Sequence, residues 1–237
     1  MSNLEELKNT VENPLLLLKE IKNSGVEYKK LEEVTEIKGR IGFRGYTRKD
    51  LRPEGEGAIS LSPRNIINNN INYLDNTYIS WEKYEESPEI MINEGDVIFC
   101  KTASIGKVAI IENLPQRATI NPQLVVFKNI KCNNNFLKYI IIGKNFQYNV
   151  NKLKGVGTVP SISQEKLGSI EIPIPPLEVQ EEIVRILDPL TKDVNELIDL
   201  LKREQDLRKK QYAYYRDKLL TFGEDTPKVK LGEIGKI

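Results

Sequence analysis

The chain has 237 residues, two cysteines and no histidine, with 35 Lys+Arg against 34 Asp+Glu for a net charge of +1. The missing histidine excludes serine–histidine and cysteine–histidine catalysis, and Cys100 and Cys132 lack the CxxC spacing of a zinc site. No apolar run approaches ~20 residues and the N-terminus lacks a signal peptide's basic and apolar regions, so a soluble, cytoplasmic protein without a membrane partner is expected.

Leu4, Leu7, Val11, Leu15 and Leu18 share helical spacing, which predicts a helix interrupted near Pro14 and ended by Asn23-Ser24-Gly25. Residues 28–37 suit either a strand or a short helix. Residues 40–57 read as a loop, with Gly39, Gly42, Gly45, Gly55 and Gly57 in and around a run of arginines. Short apolar runs at 58–61, 79–81, 97–100, 107–111 and 124–127, bounded by Gly, Pro, Asn or charge, read as strands of a mixed sheet. A helix is expected over 135–149, then a strand over 170–174 that Pro175 and Pro176 end.

From Pro176 or Leu177 one long helix is expected, with Glu178, Glu181 and Glu182 at the positive end of its dipole. Ile183, Leu187, Leu190, Val194, Leu197 and Leu201 follow in alternating steps of four and three, the spacing of a coiled-coil seam. The seam slips at Gln205 and Arg208 and resumes at Tyr212, Tyr215 and Leu219, before Gly223 supplies a stop. Pro189 removes one internal hydrogen bond and should bend the helix. At about 1.5 Å per residue the rod is roughly 65 Å long. Such a seam needs a partner helix, most simply from a second copy. The fold class is therefore mixed α/β: an N-terminal helical segment over 1–27, a globular domain over 28–175, a dimerisation helix over 176–222 and a tail over 223–237.

The even charge balance hides segregation. Lys38, Arg40, Arg44, Arg48, Lys49 and Arg52 face only Asp50, and residues 53–96 then carry nine acidic side chains against Arg64 and Lys83. Residues 97–170 hold ten Lys/Arg against Glu112 and Glu165, so two basic blocks flank an acidic one, a pattern that folding can gather into one cationic face. The tail also echoes an earlier stretch: Lys30-Leu31-Glu32-Glu33-Val34 returns as Lys230-Leu231-Gly232-Glu233-Ile234. The tail thus reads as the opening of a second repeat, and the chain as one half of a two-repeat protein.

Three segments carry a family resemblance. Residues 172–184, Ile-Pro-Ile-Pro-Pro-Leu-Glu-Val-Gln-Glu-Glu-Ile-Val, resemble the entry to the spacer helix of specificity subunits in type I restriction-modification systems. Residues 214–222, Tyr-Tyr-Arg-Asp-Lys-Leu-Leu-Thr-Phe, resemble the end of that helix, and residues 25–31, Gly-Val-Glu-Tyr-Lys-Lys-Leu, the lead-in to its target recognition domain. The resemblance implies a non-enzymatic protein that reads double-stranded DNA. In the family, two recognition domains are held apart by antiparallel helices, and each reads half of a split target. Methyltransferase subunits carrying S-adenosylmethionine and restriction subunits using ATP and Mg²⁺ do the chemistry, so no cofactor is expected on this chain. A chain with one recognition domain implies that two copies pair, giving a homodimer and a palindromic target.

Residues 95–108 look like the strand-loop-strand of these recognition domains, where Lys101, Thr102, Ser104 and Lys107 suit phosphate or base contacts. Arg40, Arg44, Tyr46 and Arg48 offer guanidinium groups and a ring on a glycine-rich loop, and Lys152, Lys154 and Thr158 form a second basic loop. Asn121 and Gln123 suit adenine readout, although a turn asparagine is the commoner role. The segment Asn121-Pro122-Gln123-Leu124 lacks the second proline and aromatic of adenine methyltransferases, and Ile105-Gly106-Lys107 is no phosphate-binding loop, since Lys101 stands where its first glycine belongs. Two alternatives remain. A Mg²⁺-dependent nuclease has only Glu20-Ile21-Lys22 and Glu36-Ile37-Lys38 to build on, without an aspartate placed upstream. A coiled-coil adaptor without a DNA role would leave the basic loops unused.

Overall fold

The computed structural model describes residues 25–40, 45–155 and 157–234. The helix expected over Leu4–Lys22 lies outside them, as does Arg44. The segment open to two readings contains both in series: strand β1 (Glu27–Lys30), one helical turn α1 (Leu31–Val34) and strand β2 (Glu36–Lys38). Thr35, at φ −153, returns the chain to extended backbone, while Leu31 and Val34 are buried. Next come β3 (Leu51–Arg52), β4 (Ala58–Leu61), a hairpin of β5 (Ile66–Ile67) and β6 (Asn70–Ile71), and β7 (Thr77–Ile79). The strand expected over 79–81 stops at Ile79. Ser80 Oγ accepts from the Lys83 N–H at 3.3 Å and caps helix α2 (Trp81–Glu85), so Trp81 opens a helix instead.

Strands β8 (Met91–Ile92), β9 (Val97–Cys100), β10 (Val108–Ile110), β11 (Ala118–Ile120) and β12 (Leu124–Lys128) complete the sheets. The helix expected over 135–149 is two helices, α3 (Asn134–Ile142) and α4 (Lys144–Leu153). Gly143, extended at ψ 146, closes the first by donating to Tyr139 O and Ile140 O, and serves as N-cap of the second. A short helix α5 (Gln164–Gly168), strand β13 (Glu171–Ile174), the long helix α6 (Leu177–Leu220) and a turn α7 (Leu231–Ile234) follow.

One sheet has the order β10-β9-β12-β2 and is antiparallel throughout; the other, β3-β7-β4-β11-β8, has β11 parallel to β4. Successive side chains of a strand point to opposite faces, and β9 and β12 bury both. Val97, Phe99, Val125 and Phe127 join a core with Leu31, Leu137, Phe146 and Val150 on the helical side. Ile98, Cys100, Leu124 and Val126 join a second core with Ile59, Leu61, Ile92 and Ile120 of the other sheet. That is why these strands read as unbroken apolar runs.

β13 returns to pair antiparallel with β1, Pro173 opposite Tyr28, and delivers the chain into α6. Residues through Asp188 form one compact unit and residues from Pro189 a second, so the first turns of α6 belong to the first unit. Gln180, 4% exposed, holds them there: its Oε1 accepts from Asn133 N–H at 2.9 Å, and its Nε2 donates to Pro175 O at 2.8 Å. Tyr139 OH adds a bond to Asp188 Oδ1 at 2.6 Å. Gln180→Ala takes these partners from the half-buried Asn133 N–H and from the carbonyl of buried Pro175. It is expected to destabilise the unit by about 1–3 kcal/mol, read as a shifted urea midpoint at unchanged slope.

The helix runs on through Pro189, which lacks the N–H that Arg185 O would accept. No helix of the described residues is long and apolar enough to cross a membrane.

Candidate nucleic-acid interface

Parallel β4 and β11 end together at Leu61 and Ile120, and β11 hands the chain to β12 through the turn at 121–123. In the neighbouring sheet Leu124 opposes Cys100, the end of β9, and Phe99 opposes Val108, the start of β10. The loops after β4, β9 and β11 therefore share one end of the two sheets, and backbone hydrogen bonds lace them together. Lys101 N–H donates to Gln123 O at 2.9 Å, and Ile162 N–H donates to Lys101 O at 2.9 Å. Ala103 N–H donates to Pro160 O at 3.0 Å, Asn121 N–H to Leu61 O at 2.8 Å, and Gly155 N–H to Ser161 O at 2.7 Å. Thus the segments 101–106, 121–123 and 157–162, with Gly155, form one surface.

The loop at 101–106 is tightly shaped. Ala103 sits at φ +63, a left-handed conformation that strains a residue with a Cβ by about 1–2 kcal/mol. Gly106, at φ +98, holds a backbone conformation that strains any L side chain, and a Cβ there would displace the Gln147 carboxamide. Gln147 of α4 reaches under the loop, donating from Nε2 to Gly106 O at 3.1 Å and Ile141 O at 2.7 Å. Lys101 is half-buried, has no hydrogen-bond partner or counter-ion for its ammonium among the described residues, and burial pulls its pKa below the usual lysine value. Thr102 is half-buried and Ser104 is exposed at the tip. A cation with its main chain pinned on both sides and its ammonium unpaired among the described residues, beside the hydroxyls of Thr102 and Ser104, suits an anionic oxygen such as a phosphate.

Other expected contacts are placed differently. Arg40 is 4% exposed, donates from Nε to Ile120 O at 3.0 Å and lies near Glu86 and Glu89; burial lowers its pKa. It braces the end of β11 from inside, and its guanidinium is not presented at the surface. Tyr46 is half-buried against the cluster of Ala58, Ile79 and Tyr84. Asn121 and Gln123 are occupied with each other: Gln123 N–H donates to Asn121 Oδ1 and Asn121 Nδ2 to Gln123 Oε1, each at 3.0 Å. That is the turn role. Lys107 Nζ donates to Pro63 O at 3.2 Å and Ile66 O at 3.3 Å, tying down the β5–β6 hairpin. Arg48, Lys152 and Thr158 are exposed, and Lys154 Nζ donates to Asn151 Oδ1 at 2.7 Å.

Neither the hairpin nor Gln147 is among the expected contacts; the run Asn68-Asn69-Asn70 is the signal the sequence offers for the hairpin turn. A cleft of about 580 Å³ between β1, β13, α3 and α4, lined by Tyr28, Tyr139, Lys144 and Tyr148 among others, shares no residue with these loops. Among the described residues no group of three or more His, Cys, Asp or Glu is placed to hold a metal.

On α6, Ile183 and Leu187 are half-buried, and the buried residue between them is Ile186. From Leu190 at 40% exposed to Leu219 at 71%, the seam residues Val194, Leu197, Leu201, Tyr212 and Tyr215 are exposed. Leu200, Leu207 and Tyr214, spaced by seven, are exposed as well and carry an apolar row across the slip at Gln205 and Arg208. Arg208 itself pairs with Glu204 at 3.0 Å.

Residues 23–207 match the family model described as the type I restriction modification DNA specificity domain. The chain belongs to this family. The Haemophilus influenzae protein S.HindORF215P, assigned as a type I restriction enzyme specificity subunit, is 33% identical over 95% of this chain and 54% of its own length. The Escherichia coli EcoR124I/EcoR124II specificity subunit is 47% identical over 28% of this chain and 16% of its own. The chain thus spans about half the length of the first of these relatives. A chain from a structure of a type I R-M system superposes with a TM-score of 0.60 at 19% identity, over 91% of this chain and 54% of that one, which is likeness of fold. Mixed α/β domain and long helix are thus the family architecture.

Proposed function

We propose that this chain is the DNA-reading part of a type I restriction-modification assembly. It selects a sequence through the loops at 101–106, 157–162 and their neighbours, and leaves methylation and cleavage to partner subunits. The family match over residues 23–207 carries this reading; the interlaced basic loops at one end of the sheets are consistent with it. S-adenosylmethionine, ATP and Mg²⁺ belong to the methyltransferase and restriction partners, and the setting is the cytoplasm, where such DNA lies.

The exposed apolar row of α6 supports a second part of the proposal: α6 packs against an equivalent helix, supplied by a second copy in a homodimer.

The test is to express the chain with the methyltransferase subunit of its own system in a methylation-free host and to map methyladenine by single-molecule sequencing. The expected result is one methylated motif with two short half-sites a fixed gap apart, mirror images if two copies pair. Methylation that is absent, or indifferent to the presence of this chain, overturns the reading.

A further inference from the structure

The hairpin Ile66–Ile71 closes through a two-residue turn, Asn68 at φ +51 and Asn69 at φ +60. Asparagine tolerates this left-handed backbone, so turn geometry explains both residues. It does not explain the pair beside them. Cross-strand partners lie on one face, and successive pairs alternate. Ile66 and Ile71 face the core: Ile66 is 2% exposed and Ile71 packs on the inter-sheet cluster. Ile67 and Asn70 are partners on the opposite face and both point to solvent, Ile67 at 44% exposed. Isoleucine suits a strand and asparagine does not, so the outward face sets an apolar side chain beside a carboxamide that strand propensity does not call for.

The hairpin is held at the end of the sheets where the candidate loops meet. Lys107 Nζ bonds Pro63 O and Ile66 O. Asn65, 2% exposed, receives Asn72 N–H at its carbonyl (2.8 Å) and donates from Nδ2 to Asn72 O (3.0 Å). The ribbon is braced at its base and open at its tip. Asn70 Nδ2 gives one hydrogen to Asn68 O at 3.3 Å, and its Oδ1 has no partner among the described residues.

Resting on the DNA-reading function proposed above, we propose that the β5–β6 hairpin enters the major groove and that Asn70 reads an adenine, with Ile67 against the methyl group of a neighbouring thymine. A two-stranded ribbon fits that groove, and a carboxamide matches adenine by accepting from N6–H and donating to N7.

The test is selection from a randomised duplex pool by the full chain, comparing wild type with Asn70→Ala, Asn70→Asp and Ile67→Ala. The expected wild-type consensus contains an A·T pair whose preference falls roughly tenfold to a hundredfold in Asn70→Ala. Asn70→Asp should shift that position toward C·G, because a carboxylate accepts from cytosine N4 but cannot donate to adenine N7. Ile67→Ala should relax the adjoining thymine alone. A change of preferred base is something a merely structural role does not produce. Wild-type enrichment with all three variants keeping the wild-type consensus overturns the hairpin's role and leaves the DNA-reading function standing. No enrichment by the wild type overturns both.

Discussion

Aspartate at both Leu190 and Leu197 is expected to abolish pairing through α6. The two residues are 40% and 56% exposed in the single chain, so the substitutions take little from the chain's own fold. In a helix pair they would be covered. There, each loss of a buried leucine removes about 2–5 kcal/mol of packing, and an unpaired carboxylate adds a desolvation penalty. The two together are expected to weaken association more than a hundredfold. Sedimentation velocity should show wild-type dimer replaced by monomer, with far-ultraviolet circular dichroism of the globular unit preserved. An unchanged sedimentation profile would remove α6 from the interface. The apolar row continues through Leu207, where polar Gln205 and Arg208 interrupt the strict heptad. A companion Leu207→Asp substitution should therefore weaken pairing too, which a partner confined to the first seam residues would not predict.

What the sequence disclosed depended on how far each signal repeated. The long helix was legible because apolar residues recur over many turns, and its observed span, Leu177–Leu220, falls inside the expected 176–222. Strands β9 and β12 were legible because both faces are buried, leaving unbroken apolar runs. Where an element is only a few residues long, no period develops. The strands of the hairpin are two residues each, and α1 is a single turn between two strands, so neither could be separated from loop by pattern alone. The break at Gly143 escaped notice because the helical spacing of apolar residues continues on both sides of it.

The site was legible as chemistry and not as placement. An arginine among glycines and an asparagine before proline both look available to a ligand in one dimension. Arg40 turns inward because the end of β11 offers it a carbonyl, Ile120 O, and Asn121 turns back because its own chain offers Gln123 N–H two residues on. Such local bonds are invisible in composition. Conversely, Gln147 gave no sequence signal and Gln180 showed only as one position of the helix-entry motif, yet one supports the loop at 101–106 and the other anchors the root of α6. Their roles depend on backbone groups brought from other parts of the chain.

Replacing Lys101 by methionine is expected to move stability and DNA binding in opposite directions. Burial holds the folded-state pKa of Lys101 below its usual 10.5. Below the lowered folded pKa both folded and unfolded chains carry the proton, and the folded chain alone bears the cost of partly desolvating it. That cost disappears as pH rises through the lowered folded pKa toward the unfolded value. Lys101→Met removes it at pH 7, so the melting temperature should hold or rise there, and the difference from wild type should shrink as the pH approaches 10.5. In the proposed DNA complex the same ammonium would gain a phosphate partner, and its loss should weaken binding roughly tenfold, about equally across sequences. The slope of log affinity against log salt should fall by about 0.9, one phosphate contact fewer. A variant less stable than wild type would mark Lys101 as a structural residue. Unchanged affinity and salt slope would place the phosphate contacts on the other basic loops.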